Sequence, residues 1–219
     1  MPIHVFVVDD HKLFRAGLIE ILQQAGDIQV VGEASNGEEA IFAIRRSAPD
    51  ILILDLTMPG MDGIETLCKL RGMDISTRVL VLTGNMSEHL LFAAIENGAH
   101  GYVMKTTDPD DMIEAIRRVY AGEAVVPGNI TVKLLSELSK ILHKSNPQVE
   151  QLTPREIDIL RELSTGATNR EIAQRLFISE NTVRNHVGNI LVKLKMQNRF
   201  QAAAFAVKEG ITKGMQDEK

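Results

Sequence analysis

The stretch Ile51-Leu52-Ile53-Leu54-Asp55-Leu56-Thr57-Met58-Pro59-Gly60 decides the fold. Four consecutive apolar residues, two of them β-branched, predict a strand buried on both faces, as in a parallel sheet. The strand ends on a carboxylate, and Pro59-Gly60 turns the chain away. A single Asp at a strand end is ordinarily a turn former or a helix cap. A second apolar run, Ile3-His4-Val5-Phe6-Val7-Val8, also ends in carboxylates, Asp9-Asp10. That repetition lifts Asp55 above the ordinary reading.

Working outward, strands are expected at 3–8, 28–32, 51–55, 78–83 and 101–105. Between them lie helical patterns near 13–22, 37–47, 63–71, 87–97 and 108–121. Ser35-Asn36-Gly37-Glu38-Glu39 and Asp108-Pro109-Asp110-Asp111 carry capping residues, acidic first turns and a proline at the first helical position. Five alternations of strand and helix imply an α/β, doubly wound five-stranded parallel sheet with right-handed crossovers. In such a sheet a ligand sits beyond the carboxyl ends of the strands, where successive connections diverge.

Residues 150–219 read differently. Thr153-Pro154-Arg155-Glu156 and Thr168-Asn169-Arg170-Glu171 are two capping boxes, each opening an amphipathic helix. A tight Phe177-Ile178-Ser179 connection leads to a longer helix with Val183, Val187, Ile190, Leu191 and Leu194 on one face. A last helix runs from Asn198 to Lys208. Residues 169–195 have helix-turn-helix proportions, so a small all-α domain follows the α/β one. The division expected is 1–122, a linker at 123–149 with an amphipathic helix through Val132, Leu135, Leu138 and Leu142, and 150–219.

Charge follows the same division. Residues 1–125 hold 10 Lys/Arg and 19 Asp/Glu, net −9, whereas residues 150–219 hold 11 and 9, net +2. Two domains with different partners fit this asymmetry. The single Cys68 excludes an intramolecular disulfide and a cysteine metal cluster. No apolar run reaches the roughly 18 residues of a membrane span, and the first residues lack a signal-peptide pattern. A cytoplasmic protein without membrane contact is expected.

Asp9, Asp10 and Asp55 would converge at the switch point between strands one and three. Three neighbouring carboxylates repel, and a hard divalent cation such as Mg2+ offsets them. One carboxylate can then act as a nucleophile toward phosphorus. Thr83 and Lys105, at the ends of strands four and five, can supply a hydroxyl and a point cation to the transferred oxygens.

Asp9-Asp10, Asp55, Thr83 and Lys105, with Met58-Pro59-Gly60-Met61-Asp62-Gly63 after the aspartate, closely resemble the receiver domain of two-component response regulators, a flavodoxin-like fold, over about residues 1–122. The resemblance implies that Asp55 is the phosphoacceptor and that Asp9, Asp10, Asp55 and the Thr57 carbonyl bind Mg2+. It assigns Thr83 and Lys105 to the phosphoryl group and Tyr102 to an aromatic switch; an aromatic half-buried beside the last helix is the plain alternative for Tyr102. Thr57 and Asn85 lie where the family tunes phosphoryl lifetime. Thr106 stands where many receivers have proline.

The stretch Leu152 to Val187 resembles the LuxR-type DNA-binding domain, and the combination is that of the NarL/FixJ class. The resemblance implies a transcription regulator switched by phosphorylation from a sensor histidine kinase, binding double-stranded DNA as a homodimer when phosphorylated. It implies no enzymatic activity beyond its own phosphorylation and dephosphorylation. Asn181, Thr182, Arg184, Asn185, Gly188 and Lys195 would face the DNA; a small bundle with a solvated charged face is the plain alternative. Gly188 departs from relatives that carry a polar or basic side chain there, and a mid-helix glycine costs about 1 kcal/mol relative to alanine. Ala203, Ala206 and Val207 would form a dimer surface, or else the domain core. Two other classes compete: a phosphorylation-independent DNA-binding regulator, and a phosphatase with an aspartyl nucleophile, whose pattern wants a second Asp where Thr57 stands.

Overall fold

Apolar runs that end in polar residues build the sheet of the first unit. The computed structural model describes residues 1–73, 75–84, 87–126 and 152–212. The expected linker helix and Asn85 lie outside them. Two units are defined, Met1–Ala121 and Gly122–Lys219.

In the first unit, β1 (Ile3–Val8), β2 (Ile28–Ala34), β3 (Ile51–Asp55), β4 (Arg78–Thr83) and β5 (Gly101–Met104) form one sheet in the order β2-β1-β3-β4-β5. Every pairing is parallel. β3 is buried at all five positions, as four apolar residues in a row require. β2 reaches Ala34, two residues past the predicted end, and its pairing with β1 slips between Val5 and Phe6. The slip sets Phe6 beside Gly32, where an added Cβ would fall 2.5 Å from the Phe6 ring.

Five helices alternate with the strands: α1 (Lys12–Gln24), α2 (Gly37–Ser47), α3 (Gly63–Arg71), α4 (Glu88–Glu96) and α5 (Pro109–Tyr120). Asn36 and Asp62 cap α2 and α3 by accepting the N–H groups of Glu39 and Glu65. Asp108 occupies the N-cap position of α5 before Pro109, but its side chain makes no cap bond.

β1 lies between β2 and β3, so the chain passes to one side of β1 and then to the other. That is the switch point. Val8 pairs with Leu54, and Asp55 with Leu82. Asp9, Asp55 and Thr83 therefore arrive at neighbouring strand ends.

The second unit contains α6 (Pro154–Leu163), α7 (Asn169–Leu176), α8 (Glu180–Lys193) and α9 (Arg199–Lys208). Both capping boxes form, with Thr153 and Glu156, and Thr168 and Glu171, exchanging side-chain and backbone bonds. Ile159, Leu160, Ile172, Val183, Val187, Ile190 and Phe205 make its core. Phe177 ends α7 in the left-handed region at φ +55°.

Candidate phosphoacceptor and DNA-binding sites

Asp9 and Asp55 are each positioned by a buried strand and held by a local hydrogen bond. Asp55 is 1% exposed at the end of β3, and its Oδ1 accepts the Thr57 N–H at 3.1 Å. Asp9 is fully buried after β1, and its Oδ1 accepts the His11 N–H at 2.8 Å. Arg15 donates to the Asp9 carbonyl. Lys105 follows β5, with Nζ 2.7 Å from Oδ2 of Asp55 and 2.7 Å from Oδ2 of Asp9. The bond to Asp55 has hydrogen-bond geometry; the approach to Asp9 is an ion pair off that geometry. The lysine chain also lies over the Phe14 ring, with Nζ 4.9 Å from its centroid.

Burial raises the Asp55 pKa above the usual carboxylate value, aided by the Asp9 charge and opposed by Lys105 and the Thr57 N–H. Burial also works against the Lys105 ammonium. Its hydrogen bond to Asp55 and its attraction to both Asp55 and Asp9 outweigh that cost, so its pKa stands above the usual lysine value.

Oxygen or nitrogen atoms of Asp9, Asp10, His11 and Asp55 lie within 4.8 Å of one another. Oδ2 of Asp9 and Oδ1 of Asp10 are buried with no partner in hydrogen-bond geometry, only the ion-pair approaches of Lys105 Nζ at 2.7 Å and His11 Nδ1 at 2.8 Å. Oxygen atoms so placed fit a divalent cation, because a single ammonium cannot satisfy three carboxylates. His11 was not among the residues singled out from the sequence. Its Nδ1 is 2.8 Å from Oδ1 of Asp10, and its place directly after Asp9-Asp10 was the available signal. Thr57 itself is exposed.

Thr83 is buried at the end of β4 and tied to the lysine strand, since its carbonyl accepts the Lys105 N–H at 2.7 Å. Tyr102 is 1% exposed, so the half-buried edge position considered for it does not hold. Burial raises the pKa of its phenol, and Thr83 and the Ser87 backbone act in the opposite direction.

The Met58–Gly63 stretch brings α3 against the acidic site. Gly60 turns at φ +76°. At Gly63 an added Cβ would lie 2.3 Å from the Asp55 carbonyl oxygen and 2.6 Å from Cα of Leu56. Only glycine allows this approach.

In the second unit, α8 buries Val183, Val187 and Ile190 and exposes Asn181, Arg184, Asn185 and Gly188 on its other side. Thr182 is half-buried and its N–H bonds to Oγ of Ser179, capping the helix. Lys195 is exposed just past the helix at φ +53°. Asn189 and Val192 share the exposed face and had escaped the sequence reading. Ala203 and Ala206 do not form an outward surface: α9 packs on α6 and α8, and both alanines lie in the domain core, which small side chains let the helices approach closely. Val207 is half-buried.

Comparison with known proteins identifies the two domains that carry these residues. Residues 5–117 match the response regulator receiver domain, and residues 150–206 match the luxR family of bacterial regulatory proteins. The nitrate/nitrite response regulator protein NarL of Escherichia coli (strain K12) is 40% identical over 210 residues, spanning 96% of this chain and 97% of its own. The transcriptional regulatory protein LiaR of Bacillus subtilis (strain 168) is 38% identical over 204 residues, covering 93% and 96%. Among solved structures, the response regulator ChrA of a heme-sensing two-component system is 34% identical over 96% of this chain and 98% of its own, with TM-score 0.51. A LuxR-family two-component response regulator from Aurantimonas sp. SI85-9A1 is 33% identical over 63% and 98%, with TM-score 0.58. A receiver that implies a sensor kinase, joined to a domain that implies DNA, is not the arrangement of a phosphatase. This chain belongs to the NarL class of response regulators, transcription regulators switched by phosphorylation of a receiver domain.

Proposed function

We infer that Asp55 is the phosphoacceptor and that its phosphorylation governs DNA binding by the α8 face. The observation that carries this reading is the Lys105 ammonium, 2.7 Å from both the Asp9 and the Asp55 carboxylates at the carboxyl ends of β1 and β3. An oxygen of Asp55 attacks the phosphorus of the donor, the new P–O bond forms as the bond to the donor breaks, and the donor leaves with that electron pair. Lys105 supplies a fixed cation to the phosphoryl oxygens, and the Thr83 hydroxyl donates to one of them. Asp9, Asp10, Asp55 and the Thr57 carbonyl would hold Mg2+, with His11 beside Asp10. The ion, when bound, offsets negative charge on the transferred group. Tyr102 acts as the switch side chain next to Thr83.

The donor is a sensor histidine kinase and the chain works in the cytoplasm, catalysing only its own phosphorylation and dephosphorylation. On DNA, Asn181, Arg184, Asn185, Gly188 and Lys195 lie at the interface and Thr182 holds the start of the helix. A homodimer forms on phosphorylation. Because Ala203 and Ala206 are occupied in the core, Val207 is what that part of α9 offers to a partner.

Asp55→Asn removes the nucleophile while keeping the shape. Incubated with labelled acetyl phosphate and Mg2+, wild type takes up label at a single site and Asp55→Asn takes up none. Persistent labelling of the variant transfers the phosphoacceptor role elsewhere.

A further inference from the structure

On a helical wheel the exposed positions of α8 after its first residue, the exposed Glu180, form one stripe: Asn181, Arg184, Asn185, Gly188, Asn189 and Val192. Gly188 falls at its middle. The space over Gly188 is open, because a Cβ built there would meet nothing within 4 Å. Neither packing nor a left-handed backbone requires glycine at this point, although it weakens the helix. Around the bare spot stand two amide side chains one turn apart, Asn185 and Asn189. One turn past Gly188 is Val192, an apolar side chain left 78% exposed. A solvated surface gains nothing from a bare centre beside an exposed valine.

We propose that α8 reads A·T pairs: Asn185 and Asn189 address adenine edges, Val192 addresses a thymine methyl, and bare Gly188 lets the helix backbone sit close to the groove floor. Asparagine can bond adenine N6 and N7 together, and an apolar side chain can pack on the thymine C5-methyl. A side chain at the centre of the stripe would hold the helix away from the bases and lengthen both contacts. Arg184, on the opposite flank of the stripe from Asn189, is the cation within this stripe, with Lys195 just past the helix, and positions the helix on phosphate. Specificity in the second half of the helix thus rests on amide and methyl contacts instead of cations. The inference deepens the reading of this face as the DNA interface and depends on it.

The test uses the full-length, phosphodonor-treated protein. Bound duplexes are selected from a random pool, and binding to the selected site is compared with sites carrying 7-deazaadenine for adenine or uracil for thymine. Selected half-sites should hold A·T pairs. Asn189→Ala should lose about five- to hundred-fold of discrimination at one adenine and make binding indifferent to 7-deazaadenine there. Val192→Ala should become indifferent to thymine-to-uracil replacement. Gly188→Ala should raise the unfolding midpoint, since its Cβ is unobstructed, yet weaken specific binding at least ten-fold.

Arg184→Ala separates the two levels of the argument. If Arg184→Ala weakens binding while Gly188→Ala binds like wild type and Asn189→Ala keeps its discrimination, the A·T proposal is overturned and the interface stands. If none of these variants alters binding of a protein that still binds duplex, the face is not the interface and both readings fall.

Discussion

Gly63→Ala should damage the phosphoacceptor site without touching any side chain in it. The new Cβ would lie 2.3 Å from the Asp55 carbonyl oxygen and 2.6 Å from Cα of Leu56. Both are backbone atoms, so no side-chain rotation relieves the overlap. Restoring ordinary contact of about 3.4 Å or more requires α3 and the end of β3 to separate by about 1 Å. The Gly63 N–H also donates to the Leu56 carbonyl at 3.0 Å, and that bond would lengthen. Overpacking of this kind costs about 1–3 kcal/mol. For a unit of this size that lowers the unfolding midpoint by on the order of 5–10 °C. A shift of about 1 Å in a reacting group can reduce rate by about a hundred-fold, so phosphate uptake from acetyl phosphate should slow by about ten- to a hundred-fold.

The comparison variant is Gly17→Ala, in α1, where an added Cβ meets nothing within 4 Å. It should stabilise by about 0.5–1 kcal/mol, since alanine loses less backbone entropy in a helix. Calorimetry of both variants and uptake of labelled phosphate under identical Mg2+ check the pair. A Gly63→Ala protein that melts with wild type and takes up phosphate at the wild-type rate refutes the close-approach argument.

Two further outcomes test the second unit. Arg184→Ala should weaken specific binding and, if one phosphate contact is lost, flatten the slope of log affinity against log salt by about 0.9; unchanged affinity and slope, measured by anisotropy, remove Arg184 from the interface. Glu156 is buried, which alone would raise its pKa, but Lys193 at 2.6 Å and the Thr153 N–H and hydroxyl outweigh burial and hold it below the usual glutamate value. A carboxylate depressed in the folded state lends stability that is complete above the unfolded value of about 4.3 and is lost as pH falls through the folded one. Urea unfolding followed by far-UV circular dichroism should therefore show wild type weakening below about pH 4.5, and Glu156→Gln should be weaker at pH 7 but lose less on acidification. Parallel pH curves for the two proteins contradict this.

The acidic site was legible because its causes are local and periodic. A buried run such as Ile51–Leu54 admits one kind of strand, and the topology of a doubly wound sheet then brings Asp9 and Asp55 together. β2 runs past the expected 28–32 because Glu33, which looks polar, lies on an edge strand that tolerates polar residues on its solvent side. The alanines of α9 could not be assigned from the sequence, since small side chains serve a close helix contact within a domain as readily as one between subunits. His11 and the role of Gly63 were hidden for another reason. Gly63 depends on how closely a neighbouring backbone approaches, of which side-chain pattern carries no record, and His11 was marked only by its place after Asp9-Asp10.

The geometry of Lys105 also indicates how one added phosphoryl group can act beyond Asp55. The ammonium already lies against two carboxylates. Converting Asp55 to an acyl phosphate replaces one negative charge with roughly two, spread over three oxygens, and moves the centre of that charge away from β3. Lys105 can follow it only by loosening its hold on Asp9. The lysine is not independent, for its backbone N–H is bonded to the Thr83 carbonyl at 2.7 Å. Thr83 and Lys105 are thus linked at the ends of β4 and β5, and Tyr102, buried two residues before Met104, lies against Thr83. A packed interior does not deform by degrees, so displacement of Thr83 toward the phosphoryl group requires Tyr102 to repack. On the proposed function, a charge change at Asp55 would become a change of shape at the β4–β5 edge, because one ammonium and one backbone bond connect them.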